Sequence, residues 1–134
     1  MTSRVEGLQR FRQRVLERFP QAARDEIKKA NQRSAAEFAA TVKRIIPKGD
    51  ELAPELDQTL EVRDGTETGV IVSIGGPQAP YPLHLEAGHK ARDGSHVPAK
   101  PFWNPAKRIT AKKHKGRASR ALRKAIQITT TGGA

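Results

Sequence analysis

The sequence contains no cysteine. That excludes disulfides, thiolate zinc sites and cysteine nucleophiles together, and it is compatible with a reducing compartment. Aromatic residues are scarce, at 4% of the 134 residues, and hydrophobic residues reach only 36%, so the expected core is modest and built mainly from Leu, Ile, Val and Ala. No apolar run approaches the roughly 20 residues that span a bilayer. The opening MTSRVEGLQRFRQR is charged throughout and lacks the apolar core of a signal peptide. The expectation is a soluble, unexported chain with no membrane contact.

Acidic residues stop at Asp93. Ten of the 25 basic groups follow it, leaving 15 against all 14 acidic groups in residues 1–93. The first two thirds therefore reads as an ordinary globular surface, while the last third carries a positive field. Such a field attracts nucleic acid, anionic lipid or an acidic protein face.

The length suits one domain, expected over residues 1–127, with 128–134 as a flexible tail. Leu8, Phe11, Val15, Leu16 and Phe19 form one apolar stripe on a short helix. Pro20 interrupts it and is placed to open a second helix at its first turn. Ile27, Ala30, Ser34, Phe38, Val42 and Ile45 then keep one face of a long amphipathic helix apolar until Pro47 and Gly49. That face is expected to pack on a hairpin bearing Leu60, Val62, Val70 and Val72. The hairpin is read from TLEVRD and GVIVSIG joined by GTET. YPLHLEAG fits a short helix between Pro82 and Gly88. Asn104 as N-cap and Pro105 at the first helical position start a basic C-terminal helix. Along it Ile109 and Leu122 lie about 140° apart at about 100° per residue, so either it bends near Gly116 or its halves meet different neighbours. The fold class is α+β: a short helix, a long amphipathic helix, an antiparallel hairpin or small sheet, and a basic C-terminal helix.

Three of the four histidines, His84, His89 and His96, lie within YPLHLEAGHKARDGSHV beside Glu86 and Asp93. A metal-dependent hydrolase would need at least three ligands on one side. His84 and His89, five apart, diverge by about 140° on a helix and fall on opposite faces of a strand. The KARDGS segment between the other candidates reads as a mobile loop. The histidines therefore read as loop decoration, with no metal, no cofactor and no catalytic residue assigned. SIGGPQ lacks the Lys-Ser/Thr ending of a phosphate cradle, and G-x-S-x-G is absent.

The basic segment 100–124 offers Lys107, Arg108, Lys112, Lys113, Lys115 and Arg117 to an acidic protein face or to DNA. These charges surround the helix, and only Phe102 and Trp103 could stack on bases, which suits docking better than base reading. The run VPAKPFWNPA stiffens the approach to the helix with Pro98, Pro101 and Pro105. It delivers Phe102, read as core, and Trp103, read as an interface residue.

These residues together resemble the neck, or tail-completion, proteins that join head to tail in long-tailed double-stranded-DNA bacteriophages. The resemblance spans roughly residues 6–127. It rests on EGLQRF, a long helix ending in IIP, a hairpin, and then Tyr81, Glu86, Gly88, Pro98, Ala99, Pro101, Phe102, Pro105 and Ala106 at the family's turn and helix-entry positions. The loop HKARDGSHV is longer than usual in that family, and PKGDELAPEL replaces a proline-threonine-glycine turn. The resemblance implies a non-enzymatic virion protein of the neck or upper tail, assembled in the host cytoplasm. It would form a homo-oligomeric ring, six-fold, around the DNA channel. Its implied partners are the head connector or stopper and the tail terminator or tail tube, with non-specific contact to genomic DNA possible. His89, Arg92, His96 and Trp103 are the interface candidates. The alternative is a basic nucleic-acid-binding module using residues 100–124.

Overall fold

Alanines and apolar residues recurring every three or four positions build one long helical rod, not two helices. The computed structural model describes residues 2–47, 56–76 and 82–131. Helix α1 (Thr2–Gln13) passes through a π-helical turn at Arg14–Arg18 directly into α2 (Phe19–Ile45). Pro20 was expected to separate two helices, and it does not. A proline inside a helix lacks an N–H and crowds the carbonyl four residues before it. Here the widened turn relieves that conflict: the Phe19 N–H donates to the Arg14 carbonyl, five residues back. The rod ends where Pro47 follows Ile46, whose backbone is already extended at ψ 134°. Gly49, most of the following polar linker and Tyr81 lie outside the described residues.

The hairpin is present, with β1 (Glu61–Asp64) antiparallel to β2 (Val70–Ser73) and Val62 opposite Val72. Its loop closes through a Gly65 N–H to Gly69 carbonyl bond of 2.8 Å, with Glu67 at a positive φ of 53°. A single 3-10 turn, Leu56–Thr59, precedes it and buries Leu56 completely. The short helix expected after the hairpin is α3 (Pro82–Ala87). It leads into a second, tiny hairpin, β3 (His89–Lys90) with β4 (His96–Val97). Helix α4 (Trp103–Thr131) closes the fold.

The main packing partner of α2 is α4, not the hairpin. The two helices run antiparallel, since Phe38 meets Trp103 while Glu26 meets Lys124. They meet through small residues: Ala30, Ala35 and Ala39 on one side, Ala106, Thr110, Ala121, Ala125 and Thr129 on the other, all buried. Small side chains let two backbones approach closely, and the buried threonine hydroxyls bond back into their own helix. Thr110 donates to the Ala106 carbonyl at 2.9 Å and Thr129 to Ala125 at 2.8 Å. The larger core lies at one end, where Val42, Ile46, Leu56, Leu85, Phe102 and Ala106 cluster under Phe38, Ile45, Leu60, Ile74 and Trp103.

Several expectations change accordingly. Phe38 and Ile27 are half-buried, and Val62 is exposed. Leu8, Phe11, Val15 and Leu16 are 46–63% exposed, so their stripe is largely open to solvent, although the π turn comes near α4. Helix α4 runs unbroken past Gly116, and neither Ile109 nor Leu122 faces α2, because the alanine and threonine stripe takes that role. The expected flexible tail is helical as far as Thr131, with Thr129 buried.

Candidate functional site

Of the residues that carry the resemblance, Glu86, Gly88, Pro98, Ala99, Pro101, Phe102, Pro105 and Ala106 lie at or just before the start of α4, whereas EGLQRF lies in α1 at the far end of the rod. Asn104 was expected to cap this helix. It lies inside the first turn instead, with Pro105 third in the helix rather than first. The cap comes from α3. One Glu86 carboxylate oxygen accepts from the backbone N–H groups of Phe102 and Trp103 at 2.8 and 2.9 Å. Its other oxygen accepts from the N–H of Asn104 at 2.9 Å. Three donors of the first turn are thereby satisfied by a negative charge at the positive end of the helix. Partial burial pushes the Glu86 carboxyl up. The N–H groups of Phe102, Asn104 and Trp103, with the charge of Arg108, outweigh that and hold it below the ordinary glutamate range.

The neighbouring motif residues aim that carboxylate. Gly88 ends α3 at a φ of +75°, and a Cβ there would sit 2.9 Å from the Val97 carbonyl oxygen, so both conformation and space require glycine. The Lys100 N–H donates to the Leu85 carbonyl at 2.7 Å, stitching the proline-rich approach onto α3. Pro98, Ala99 and Pro101 are exposed along this approach, and Pro105 is half-buried. Phe102 anchors the junction in the core at 1% exposure. Trp103 is half-buried and packs edge-to-face on Phe38, ring centres 4.8 Å apart.

The histidines behave differently from expectation. Gly88 reverses the chain so sharply that His84 and His89 stack, ring centres 5.0 Å apart with planes 24° from parallel. In-plane nitrogen lone pairs of stacked rings do not converge on one ion. No group of three or more ligand-type side chains comes together among the described residues. His96 and Arg92 are exposed. The segment expected to be a mobile loop is an ordered turn: the Ala91 N–H donates to the Ser95 carbonyl at 2.8 Å. Asp93 accepts from both the Ser95 hydroxyl and the Ser95 N–H at 2.6 and 2.9 Å, bonds that hold its carboxyl below the usual range.

The basic residues sort into two sets. Lys113 and Arg117 are committed internally, both to Glu37 on α2, with Lys113 at 3.3 Å. The hydrogen bond with Arg117 is the main reason the Glu37 carboxyl lies below its ordinary range. Nearby, Ser34 bonds the His114 ring at 2.8 Å. The buried Glu26 carboxylate sits between Lys29 and Lys124, at 3.4 and 3.5 Å. Arg108, Lys112 and Lys115 are exposed, and their spacing of four and three places them on one outward face. That face continues through the exposed Leu122 and Ile126. The charges thus do not surround α4 uniformly, as the sequence suggested. Lys107 lines an apolar groove between α2, the hairpin and α4.

The Glu86 clamp was not legible, because no local pattern links a glutamate to a helix start 16 residues later. No helix among the described residues is long and apolar enough to cross a membrane. Comparisons with protein-family models, with curated proteins and with solved structures find no match for this chain.

Proposed function

We propose that this chain is a non-enzymatic structural protein of a phage neck, joining the head connector to the tail as a homo-oligomeric ring around the DNA channel. The observation that carries the reading is the clamp. Part of the pattern on which the resemblance rests, Glu86, Gly88, the Pro98–Pro101 approach and Phe102, acts as one device that fixes the start of α4. A ring subunit needs a fixed angle, since a small error per subunit accumulates around the ring and prevents closure. The exposed apolar stripe of α1 and the outward face of α4 supply surfaces for neighbours, each repeated once per subunit, so that weak contacts add up.

The test is genetic. Deleting this reading frame from a phage that carries it is expected to leave DNA-filled heads and separate tails, with joining restored when the chain is supplied in trans. Normal virions without it would overturn the reading.

A second reading, a nucleic-acid-binding module, is favoured by the outward-facing Arg108, Lys112 and Lys115. Under it, purified chain shifts duplex DNA with a steep salt dependence, and changing those three residues to Gln lowers the salt slope by about three. Under the neck reading the same triple change acts on head–tail joining.

A further inference from the structure

One edge of the α2–α4 pair gathers charge in two facing rows. On α2, Glu26, Lys29, Arg33 and Glu37 recur at three and four residues and so share a side. On α4, Lys113, Arg117, Arg120 and Lys124 do the same. The rows meet at two places: Glu37 takes Lys113 and Arg117, and the buried Glu26 lies between Lys29 and Lys124. A cleft of about 210 Å³ opens between the two helices here. Lys29, Arg33, Arg117, Arg120 and Lys124 line it, with Glu26 the one carboxylate among the lining residues. The buried Ala30 and Ala121 also line it, and their small side chains leave the space open.

The two carboxylates do not neutralise this edge. Six cations stand on it against Glu26 and Glu37, an excess of four positive charges. Four of the six are engaged in the ion pairs above. Arg33 and Arg120, one from each helix, form no ion pair among the described residues. Like charges gathered in one cleft repel, and an anion placed among them relieves that repulsion.

Size and donor type narrow the anion. At about 210 Å³ the cleft is smaller than the roughly 300–1,000 Å³ of sites for drug-sized ligands, so it suits one compact group. A guanidinium presents a planar fork of donors that matches phosphate oxygens in pairs. A tetrahedral group can accept from both walls at once, which a planar carboxylate does less well. Glu26 opposes an anion, but the lysines on either side of it offset its charge and are themselves held at the cleft by it.

We infer that this cleft binds a phosphate group, gripped by Arg33 from α2 and Arg120 from α4, with Lys29 and Lys124 beside it. The group belongs either to free phosphate or to a nucleic-acid strand, and the recognition chemistry is the same for both. The site is separate from the outward face of Arg108, Lys112 and Lys115. Arg120 and Lys124 stand about 120° and 160° around α4 from Arg108 at about 100° per residue. It goes beyond the neck reading and does not depend on it.

Isothermal titration calorimetry with inorganic phosphate, in chloride buffer of fixed ionic strength, tests the site. Arg33→Gln and Arg120→Gln are each expected to weaken phosphate binding about tenfold, the loss of a charge-assisted hydrogen bond. Both residues are exposed, so each variant should keep the parental Tm in chloride. Phosphate stabilises folded proteins in general, so the thermal readout is a comparison: it should raise the Tm of the parent more than that of the double variant. Changing Arg108, Lys112 and Lys115 to Gln should leave phosphate affinity unchanged. Duplex DNA separates the two sources. A strand phosphate predicts that DNA binds more tightly than inorganic phosphate and that the double variant lowers the salt slope by about two. A free anion predicts the same DNA binding in parent and double variant, with phosphate binding lost in the variant. A double variant that matches the parent towards both phosphate and DNA overturns the inference. So does a cleft that binds polyglutamate and not phosphate. These titrations use the purified chain, so a failed virion assay sinks the neck function and leaves the phosphate site standing.

Discussion

Replacing Glu86 by Gln tests the clamp with the smallest change of shape. The carboxylate accepts three N–H groups of the first turn of α4, at 2.8, 2.9 and 2.9 Å. A hydrogen bond to a charged acceptor contributes about 1.5–3 kcal/mol, but three bonds to one group are not additive. Loss of an ordinary helix cap costs about 0.5–2 kcal/mol. Asn104 is exposed, so water recovers part of what is lost, and solvent screening lowers the charge effect. Gln also keeps one carbonyl oxygen to accept from the turn. The expected cost of Glu86→Gln at pH 7 is therefore about 1–2 kcal/mol, a fall in Tm of about 3–8 °C for a chain of this length.

The pH dependence separates a charge effect from simple loss of packing. The folded carboxyl titrates below its ordinary value of 4.5. Its contribution is fully present above that value and is lost as pH falls through the folded pKa, where the wild-type side chain becomes a neutral acid. Differential scanning calorimetry of both proteins should show a constant Tm gap from pH 7 to about 4.5, which closes below it. A gap of the same size at pH 3, or none at pH 7, would refute the clamp as an electrostatic cap.

Gly88→Ala combines a left-handed backbone with a contact of 2.9 Å to the Val97 carbonyl oxygen, and is expected to cost about 1–3 kcal/mol in urea unfolding. Phe102→Ala, at 1% exposure, should cost about 3–5 kcal/mol. Phe38→Ala, half-buried, should cost clearly less, and equal losses would show that the core is placed wrongly. Gly116→Ala should raise stability by about 0.5–1 kcal/mol, because only the flexible Arg120 guanidinium approaches the added methyl group, at 3.2 Å. A fall in Tm for that variant would mean that the Arg120 position is itself required.

Local chemistry determined much of this protein. Periodic apolar and alanine positions specify the long helix up to Ile45. The strand pair around residues 65–69 follows from turn residues between β-branched runs, and Pro82 with Gly88 bounds α3. Phe102 was legible as core because a rigid proline run delivers a large apolar group to a helix start. Each of these signals acts within a few residues, where propensity and backbone sterics operate.

What tertiary structure decided lies at longer range. Whether Pro20 breaks the rod depends on a carbonyl five residues before Phe19 finding a partner in a widened turn. Which face of α2 is buried was settled by α4, whose buried Ala106, Thr110, Ala121, Ala125 and Thr129 meet Ala30, Ala35 and Ala39. The cap of α4 comes from Glu86, 16–18 residues away. The pairing that removes Lys113 and Arg117 from the free basic surface reaches back to Glu37, across 76 and 80 positions. A carboxylate, a guanidinium or a helix end has no preferred partner along the sequence. It takes whichever complementary group the packing brings within reach, and only the folded chain specifies which group that is.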